Sequence, residues 1–457
     1  MLTRSYPHQV RARAVRATEP HVPQFSVVDL FAGAGGISEG FRQRGFYVLA
    51  GLDNDPDAAA TYRRNFPEAK AICGDIRDGA IREQLAEVAR AANVIVGGPP
   101  CQAFSQMRNH SRLIDDPRNN LYREFVAALR TARPLTFLME NVTGIDQMGV
   151  REQIAADLAL DGEYHVQPQV HDAADFGVPQ TRKRLLFIGV RNDVASAAPI
   201  LCGTGATANI SLDRTVGTKR STYQVNIQET VFGQRMADAI TDPWDDTIVT
   251  AADAISDLAQ LPVGNRDDEI AYDGLIDPQS AYQRKMRAQA GTYLANVQVP
   301  RINRDTELRL LGVPKGGNHR DLSDALLDRY LTGQRWGQDN GSGRLSRRHF
   351  YAYRRLHPGI WAWTLNTKGD SVYHYSVARS LSVREFARLQ SFPDRFVFTT
   401  DARKGPLPGR HDGGPAHSRY RQVGNAVPPL LAAAAATQLQ RLLAAWHDRM
   451  PTRTKIA

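Results

Sequence analysis

Between Phe25 and Val190, short apolar runs alternate with stretches of helical periodicity, and this rhythm constrains the fold more than any other feature of the chain. Strands are expected at Phe25–Phe31, Tyr47–Leu52, Ala69–Cys73, Val94–Val96, Leu135–Met139 and Leu185–Val190. Between them Ile81, Leu85 and Val88 mark a helical stripe, as do Phe125 and Leu129 with neighbouring alanines. Repetition of this kind builds a parallel sheet covered on both faces, so the fold class is doubly wound, Rossmann-like α/β. Ligands in such sheets bind at strand ends.

The fourth run leads into Gly97-Gly98-Pro99-Pro100-Cys101-Gln102-Ala103-Phe104-Ser105. Two glycines permit backbone angles closed to other residues and two prolines fix φ, so Cys101 is expected on a stiff turn. The turn alone leaves open whether this cysteine is a small buried hydrophobe or a nucleophile. The first run ends in Asp29-Leu30-Phe31-Ala32-Gly33-Ala34-Gly35-Gly36 and passes straight into a helical pattern, where backbone can approach a ligand. Ser38 stands where a third glycine would complete a dinucleotide fingerprint, which argues against a nicotinamide or flavin. Asp53 closes the second run, either to meet a ribose diol or to cap the helix that Asn54-Asp55-Pro56 announces. After the third run, Gly74-Asp75-Ile76 sets an acid beside apolar surface, suited to the edge and face of an adenine. Three such ends describe a nucleoside pocket without a phosphate cradle, which points to S-adenosylmethionine. No Gly-x-x-x-x-Gly-Lys-Ser/Thr supports ATP chemistry.

Several of these stretches, taken with others further on, form an ordered set: Asp29 to Gly36, Gly74-Asp75-Ile76, Pro99-Pro100-Cys101-Gln102, Glu140-Asn141-Val142, Gln180-Thr181-Arg182-Lys183-Arg184, Arg384 to Pro393, and Gly424-Asn425-Ala426-Val427-Pro428-Pro429. In order and spacing the set resembles the signatures of DNA (cytosine-5) methyltransferases of the prokaryotic, restriction-modification type. The resemblance implies that the Cys101 thiolate attacks carbon 6 of cytosine and that Glu140 receives the displaced density at nitrogen 3. It implies that Arg184 steadies oxygen 2, with Arg182 near the substrate backbone. It also places Phe31, Ala32, Gly33, Gly35, Gly36, Asp53, Asn54, Asp75, Ile76, Pro99, Leu121, Asn425 and Ala426 around S-adenosyl-L-methionine, with S-adenosyl-L-homocysteine as product and no metal. Asp53 stands where the family often has Glu, and Ser382 where threonine is commoner. A cytosine inside a duplex cannot meet these groups, so it must be flipped out, and the polar segment Gln106 to Asn120 resembles the mobile loop that closes over it.

The expected division is a flexible basic arm over 1–24, a catalytic domain over 25–198, an inserted target-recognition domain over 199–378, a return to the catalytic domain over 379–447 and a tail over 448–457. From about Pro199 the strand-helix rhythm breaks, although Thr250 to Asp253 offers a helix start. Arg284, Lys285, Arg287, Arg301, Arg304 and Arg309, then Arg344 to Arg355 with His349, Phe350, Tyr351 and Tyr353, look like a nucleic-acid surface. Leu430 to Trp446 reads as a long helix that would partner a sheet edge lacking one. An excess of 57 Lys+Arg over 48 Asp+Glu favours a polyanionic partner, here double-stranded DNA. Cys73, Cys101 and Cys202 form no disulfide framework or zinc spacing, and no apolar run approaches membrane length. A reducing cytoplasm is therefore expected, with the chain on nucleoid DNA, monomeric and away from membrane, and a cognate restriction endonuclease as a functional partner. Methylation of tRNA by the same chemistry and a non-catalytic DNA-binding relative are the alternative readings.

Overall fold

The computed structural model describes residues 24–100, 121–147, 150–205, 207, 210–214, 223–227, 248–323, 325–326, 353–401 and 414–450. The expected basic arm, the loop from Gln106 to Asn120, Cys101 and most of the Arg344 to Arg355 cluster lie outside these residues. The first half alternates as the sequence predicts: β1 (Ser26–Leu30), α1 (Gly36–Arg42), β2 (Tyr47–Asp53), α2 (Pro56–Asn65), β3 (Lys70–Cys73), α3 (Gly79–Ala89), β4 (Val94–Gly97), α4 (Leu121–Ala132) and β5 (Thr136–Val142). Two short helices, α5 (Gly144–Gln147) and α6 (Arg151–Leu158), precede β6 (Tyr164–Asp172) and β7 (Lys183–Arg191).

These seven strands form one sheet in the order β3-β2-β1-β4-β5-β7-β6. Alternation along each strand divides its side chains between two cores. On one face Val27, Val48, Val96, Leu138 and Ile188 pack with Phe41 of α1. On the other, Val28, Leu52, Ile95 and Phe137 pack with Leu85, Leu129 and Leu158 of α3, α4 and α6.

Two features depart from the expected parallel sheet. β6 is an unpredicted strand at the edge; its run carries Pro168 and alternates polar residues, a composition an edge tolerates. β7 pairs antiparallel with both β5 and β6, so it alone runs against the rest. Only the segment 173–182, with one 3-10 turn at Ala173–Phe176, joins β6 to β7, and so short a connection cannot carry the crossover that a parallel pairing needs. The reversal brings the start of β7 to the same sheet end as the finish of β5, with Val142 opposite Arg184.

The later chain adds the hairpin β8 (Ile210–Arg214) and β9 (Tyr223–Ile227), α7 (Ala251–Ile255), β10 (Glu269–Ala271), α8 (Ala281–Arg287), β11 (Tyr293–Ala295), α9 (Arg304–Gly312), α10 (Val383–Leu389), α11 (Gly414–Asn425) and α12 (Pro429–Arg449). The predicted start at Thr250 is a complete capping box with Asp253. Val249, Ile255, Tyr282 and Met286 belong to the same hydrophobic core as β1 and α1, so the segment from 199 joins the main core rather than standing wholly apart. Smaller clusters form around Leu258, Leu294 and Val297 and around Leu310, Val313 and Tyr353. α12 covers a sheet face against α1 instead of lining an edge. Gly40 makes that approach possible, because a Cβ there would lie 2.6 Å from that of Ala432 and 2.5 Å from Pro429 O.

Candidate active site

The ends of β1 and β2 form the first wall. Phe31, Gly33 and Gly35 all have positive φ, so the chain turns sharply between β1 and α1. The amides in this turn are engaged within the protein: Ala32 donates to Leu52 O at 2.8 Å, Gly33 to Asp53 Oδ2 at 2.8 Å and Gly35 to Ala32 O at 2.8 Å. A phosphate would have to displace these bonds, which agrees with the expected nucleoside pocket. Asp53 also accepts from the Asp55 amide at 2.8 Å, and burial raises its carboxyl above the ordinary range. Asp53 does not cap α2; Asp55 does, accepting from Asp57 N at 3.0 Å. Asp75 is held as an anion, its carboxyl lowered to about 2 chiefly by the Arg77 guanidinium, which grips both oxygens.

β4, β5 and β7 form the second wall. Neither Gly97 nor Gly98 has positive φ, so the expectation that these glycines serve special backbone angles fails. They serve space: a Cβ on Gly97 would lie 2.2 Å from Leu30 O, and one on Gly98 would lie 2.9 Å from Glu140 Oε2. Asn141 Nδ2 donates to Pro99 O at 3.3 Å and ties this turn to the end of β5. Across the antiparallel pair, Arg184 Nε meets Glu140 Oε1 at 2.6 Å, with both side chains nearly enclosed. Residues opposite one another in such a pair point to one face and alternate along each strand, so Glu140 and Arg184 share a face at one sheet end.

Arg182, expected near the substrate backbone, also braces the protein itself. Its guanidinium is buried and donates to Leu365 O at 3.2 Å and Gly424 O at 2.8 Å, joining the start of β7 to the end of α11. The basic stretch read as a nucleic-acid surface also divides. Arg284, Arg301 and Arg304 are exposed, whereas Arg287 binds Asp257, Arg309 binds Tyr353 and Arg355 binds the carbonyls of Leu310 and Val313. The late block is scaffolding: Arg388 bridges Asp257 and Asp394, while Arg379 grips both oxygens of Glu385, all fully buried.

Between the walls lies a cavity of about 970 Å³. Phe31, Ala32, Gly33, Gly36, Asp53, Asn54, Asp75, Ile76, Pro99, Leu121, Asn425 and Ala426 line it together with Glu140, Arg182 and Arg184. Pro100, immediately before Cys101, is also on its wall. Gly35 is not; its missing side chain makes room for Phe66, 2.5 Å from where a Cβ would stand. The lining includes residues the sequence reading did not choose, among them Thr364, Asn366 and Arg421. Arg421 pairs with Asp55 at 2.7 Å and precedes Asn425 by one helical turn, a spacing that would have revealed it.

The fold and cavity define an α/β protein of the kind whose strand ends suit a nucleoside, with a paired Glu140 and Arg184 on the same cavity wall. The family model for C-5 cytosine-specific DNA methylases matches residues 25–441, and the chain belongs to that family. It is 30% identical to the type II methyltransferase M.AgeI of Thalassovita gelatinovora, over 90% of this chain and 98% of that one. It is 26% identical to the DNA (cytosine-5-)-methyltransferase M.ApeKI of Aeropyrum pernix, over 92% and 99%. A crystal structure of a DNA modification methyltransferase from an E. coli prophage superposes with a TM-score of 0.62 at 24% identity, covering 92% of this chain and 99% of that one, and shares the fold.

The lining fits S-adenosylmethionine. Carboxylates at Asp53 and Asp75 accept from hydroxyl and amine donors, Phe31 and Ile76 offer apolar surface for a purine, and the Ala32, Gly33 and Gly35 amides are already bonded within the protein. Among the described residues no helix is long and apolar enough to cross a membrane.

Proposed function

We propose that this chain methylates carbon 5 of a cytosine flipped out of double-stranded DNA within a short specific sequence, through a covalent adduct at Cys101. The observation that carries the reading is the Glu140–Arg184 pair, 2.6 Å apart on the wall that Gly98, Pro99 and Pro100 share. Nitrogen 3 and oxygen 2 of cytosine are neighbouring acceptors, so a carboxyl that brings a proton and a guanidinium beside it match that edge. S-adenosylmethionine supplies an electrophilic methyl group beside it, held by Asp53, Asp75, Asn425 and the apolar lining.

The residues divide the work as follows. The Cys101 thiolate forms a bond to carbon 6, and the electron pair of the 5,6 double bond makes carbon 5 nucleophilic. Glu140, carrying a proton, donates to nitrogen 3 and accepts from the exocyclic amine, and Arg184 takes the charge that develops on oxygen 2. Once carbon 5 has its methyl group, loss of its proton restores the double bond and expels the thiolate. Gln180 and Gln390 hold the walls from behind the lining, and Arg182 holds them from the lining itself.

Residues 199–378 supply the sequence choice in this reading, with Arg284, Arg301 and Arg304 placed on the outside for phosphates. The type II name of the M.AgeI relative supports protection of host DNA beside a restriction endonuclease. Duplex DNA carrying 5-fluorocytosine tests the chemistry, because fluorine cannot leave as a proton does. The expected result is a DNA-protein adduct that survives denaturation and is lost in Cys101→Ser. An active enzyme that forms no such adduct would refute the covalent route.

A further inference from the structure

The turn carrying Asn425 is held by buried side chains from the end of α10 and from the segment that leads into β7. α11 ends at Asn425 and α12 begins at Pro429, and the last carbonyls of a helix have no partner within it. Here Gln390 Nε2 donates to Ala426 O at 2.6 Å and Val423 O at 3.2 Å, and Arg182 donates to Gly424 O between them. Gln390 Oε1 in turn accepts from Gln180 Nε2, while Gln180 Oε1 accepts from Leu365 N at 2.7 Å. All three side chains are buried, and neither glutamine lines the cavity. Gln180 and Arg182 belong to the segment that leads into β7 and delivers Arg184 to Glu140. An amide accepts at one atom and donates at the next, so two in series can carry a link that neither a carboxylate nor an alkyl chain can replace.

We infer that Gln390 is a positioning residue: the Gln180–Gln390 relay fixes the Asn425–Ala426 turn relative to the Glu140–Arg184 pair, and thereby the methyl donor relative to the base. The inference rests on the reading that this turn holds S-adenosylmethionine.

The test is a thermodynamic cycle on binding of S-adenosylhomocysteine, measured by calorimetry on the full chain. Asn425→Ala and Gln390→Met should each weaken binding about tenfold, the worth of one good hydrogen bond. The double variant should bind as Asn425→Ala does, because Gln390 acts through that turn. KM for DNA should stay within about twofold of the wild type in Gln390→Met, and Gln390→Glu should not rescue it, since its oxygens would face carbonyls. Leu439→Ala, a cavity in the core under α12, should lower stability and leave binding intact. If Gln390→Met does not fold, Gln180→Met, which spares the bonds from Gln390 to the turn, enters the same cycle. Multiplying effects, normal binding by a folded Gln390→Met, or equal weakening by Leu439→Ala would overturn the relay. Normal binding by Asn425→Ala would instead remove the cofactor reading beneath it.

Discussion

Gly97 and Gly98 are adjacent, yet adding one methyl group to each should have opposite consequences. A Cβ on Gly98 would sit 2.9 Å from Glu140 Oε2, with its next neighbour, Glu140 O, at 3.9 Å. Ordinary contact begins near 3.4 Å, so the carboxylate must retreat by 3.4 − 2.9, about 0.5 Å, while the backbone, whose φ is unexceptional, need not move. Stability should fall by less than about 1 kcal/mol, since only the end of a flexible side chain yields. Activity should fall far more. The displaced oxygen belongs to the group proposed to meet nitrogen 3, and errors of this size cost roughly tenfold to a hundredfold in kcat. In Gly97→Ala the added carbon would lie 2.2 Å from Leu30 O and 3.0 Å from its carbonyl carbon, in the centre of the sheet. Neither strand can yield without breaking the β1–β4 ladder, so the loss should exceed about 3 kcal/mol. Transfer of labelled methyl groups to duplex DNA, beside thermal melts of both variants, separates the two effects. Gly98→Ala with wild-type turnover, or with a melting temperature as low as that of Gly97→Ala, would refute the reasoning.

Other changes follow the same physics. Burial raises Asp29 to about 7, although Ser38 donates to it twice, so between its ordinary 3.8 and that value the folded chain keeps a proton that the unfolded chain has lost. Stability from this group is therefore full below pH 3.8 and lost as pH rises through about 7. Asp29→Asn can still accept from Ser38, and its stability relative to the wild type should improve between pH 5 and 8 by about 3 kcal/mol in urea titrations; a pH-independent difference would count against the assignment. Arg388→Met should cost about 3 to 5 kcal/mol by leaving Asp394 and Asp257 facing an alkyl chain, and an unchanged melting temperature would contradict it. Glu140→Gln keeps shape but loses the charge that pairs with Arg184, so kcat should fall at least about a hundredfold with S-adenosylhomocysteine binding intact, as calorimetry would show.

The features legible in the sequence are those written locally. Strand ends punctuated by glycine, proline and aspartate announced the cavity, and every chosen cofactor residue except Gly35 lies on its wall. What stayed hidden depends on distant partners. The direction of β7 is set by the shortness of the 173–182 connection and not by any residue within the strand. The bonds that Arg182 makes to Leu365 and Gly424, far along the chain, cannot be read from its own stretch. Tyr164–Asp172 does not read as a strand because an edge position lets polar residues and Pro168 replace the apolar run of a central one. The glycines at the end of β4 are also misread from composition, since what they avoid is another strand's carbonyl and another strand's carboxylate.

The packing of α12 against α1 sets an order of events during synthesis. Most of α1 is buried, and the space left by Gly36 and Gly40 is filled by Val427, Pro429 and Ala432. The loop that opens the cofactor wall therefore leaves the ribosome early and waits for nearly the whole remaining chain before its supporting helix is covered. A nascent chain lacking α12 exposes the apolar side of α1 and leaves the Asn425 turn without the helix that follows it. Methylation competence should arise in one late step, and products ending before α12 should be clients for chaperones and proteases instead of slow enzymes.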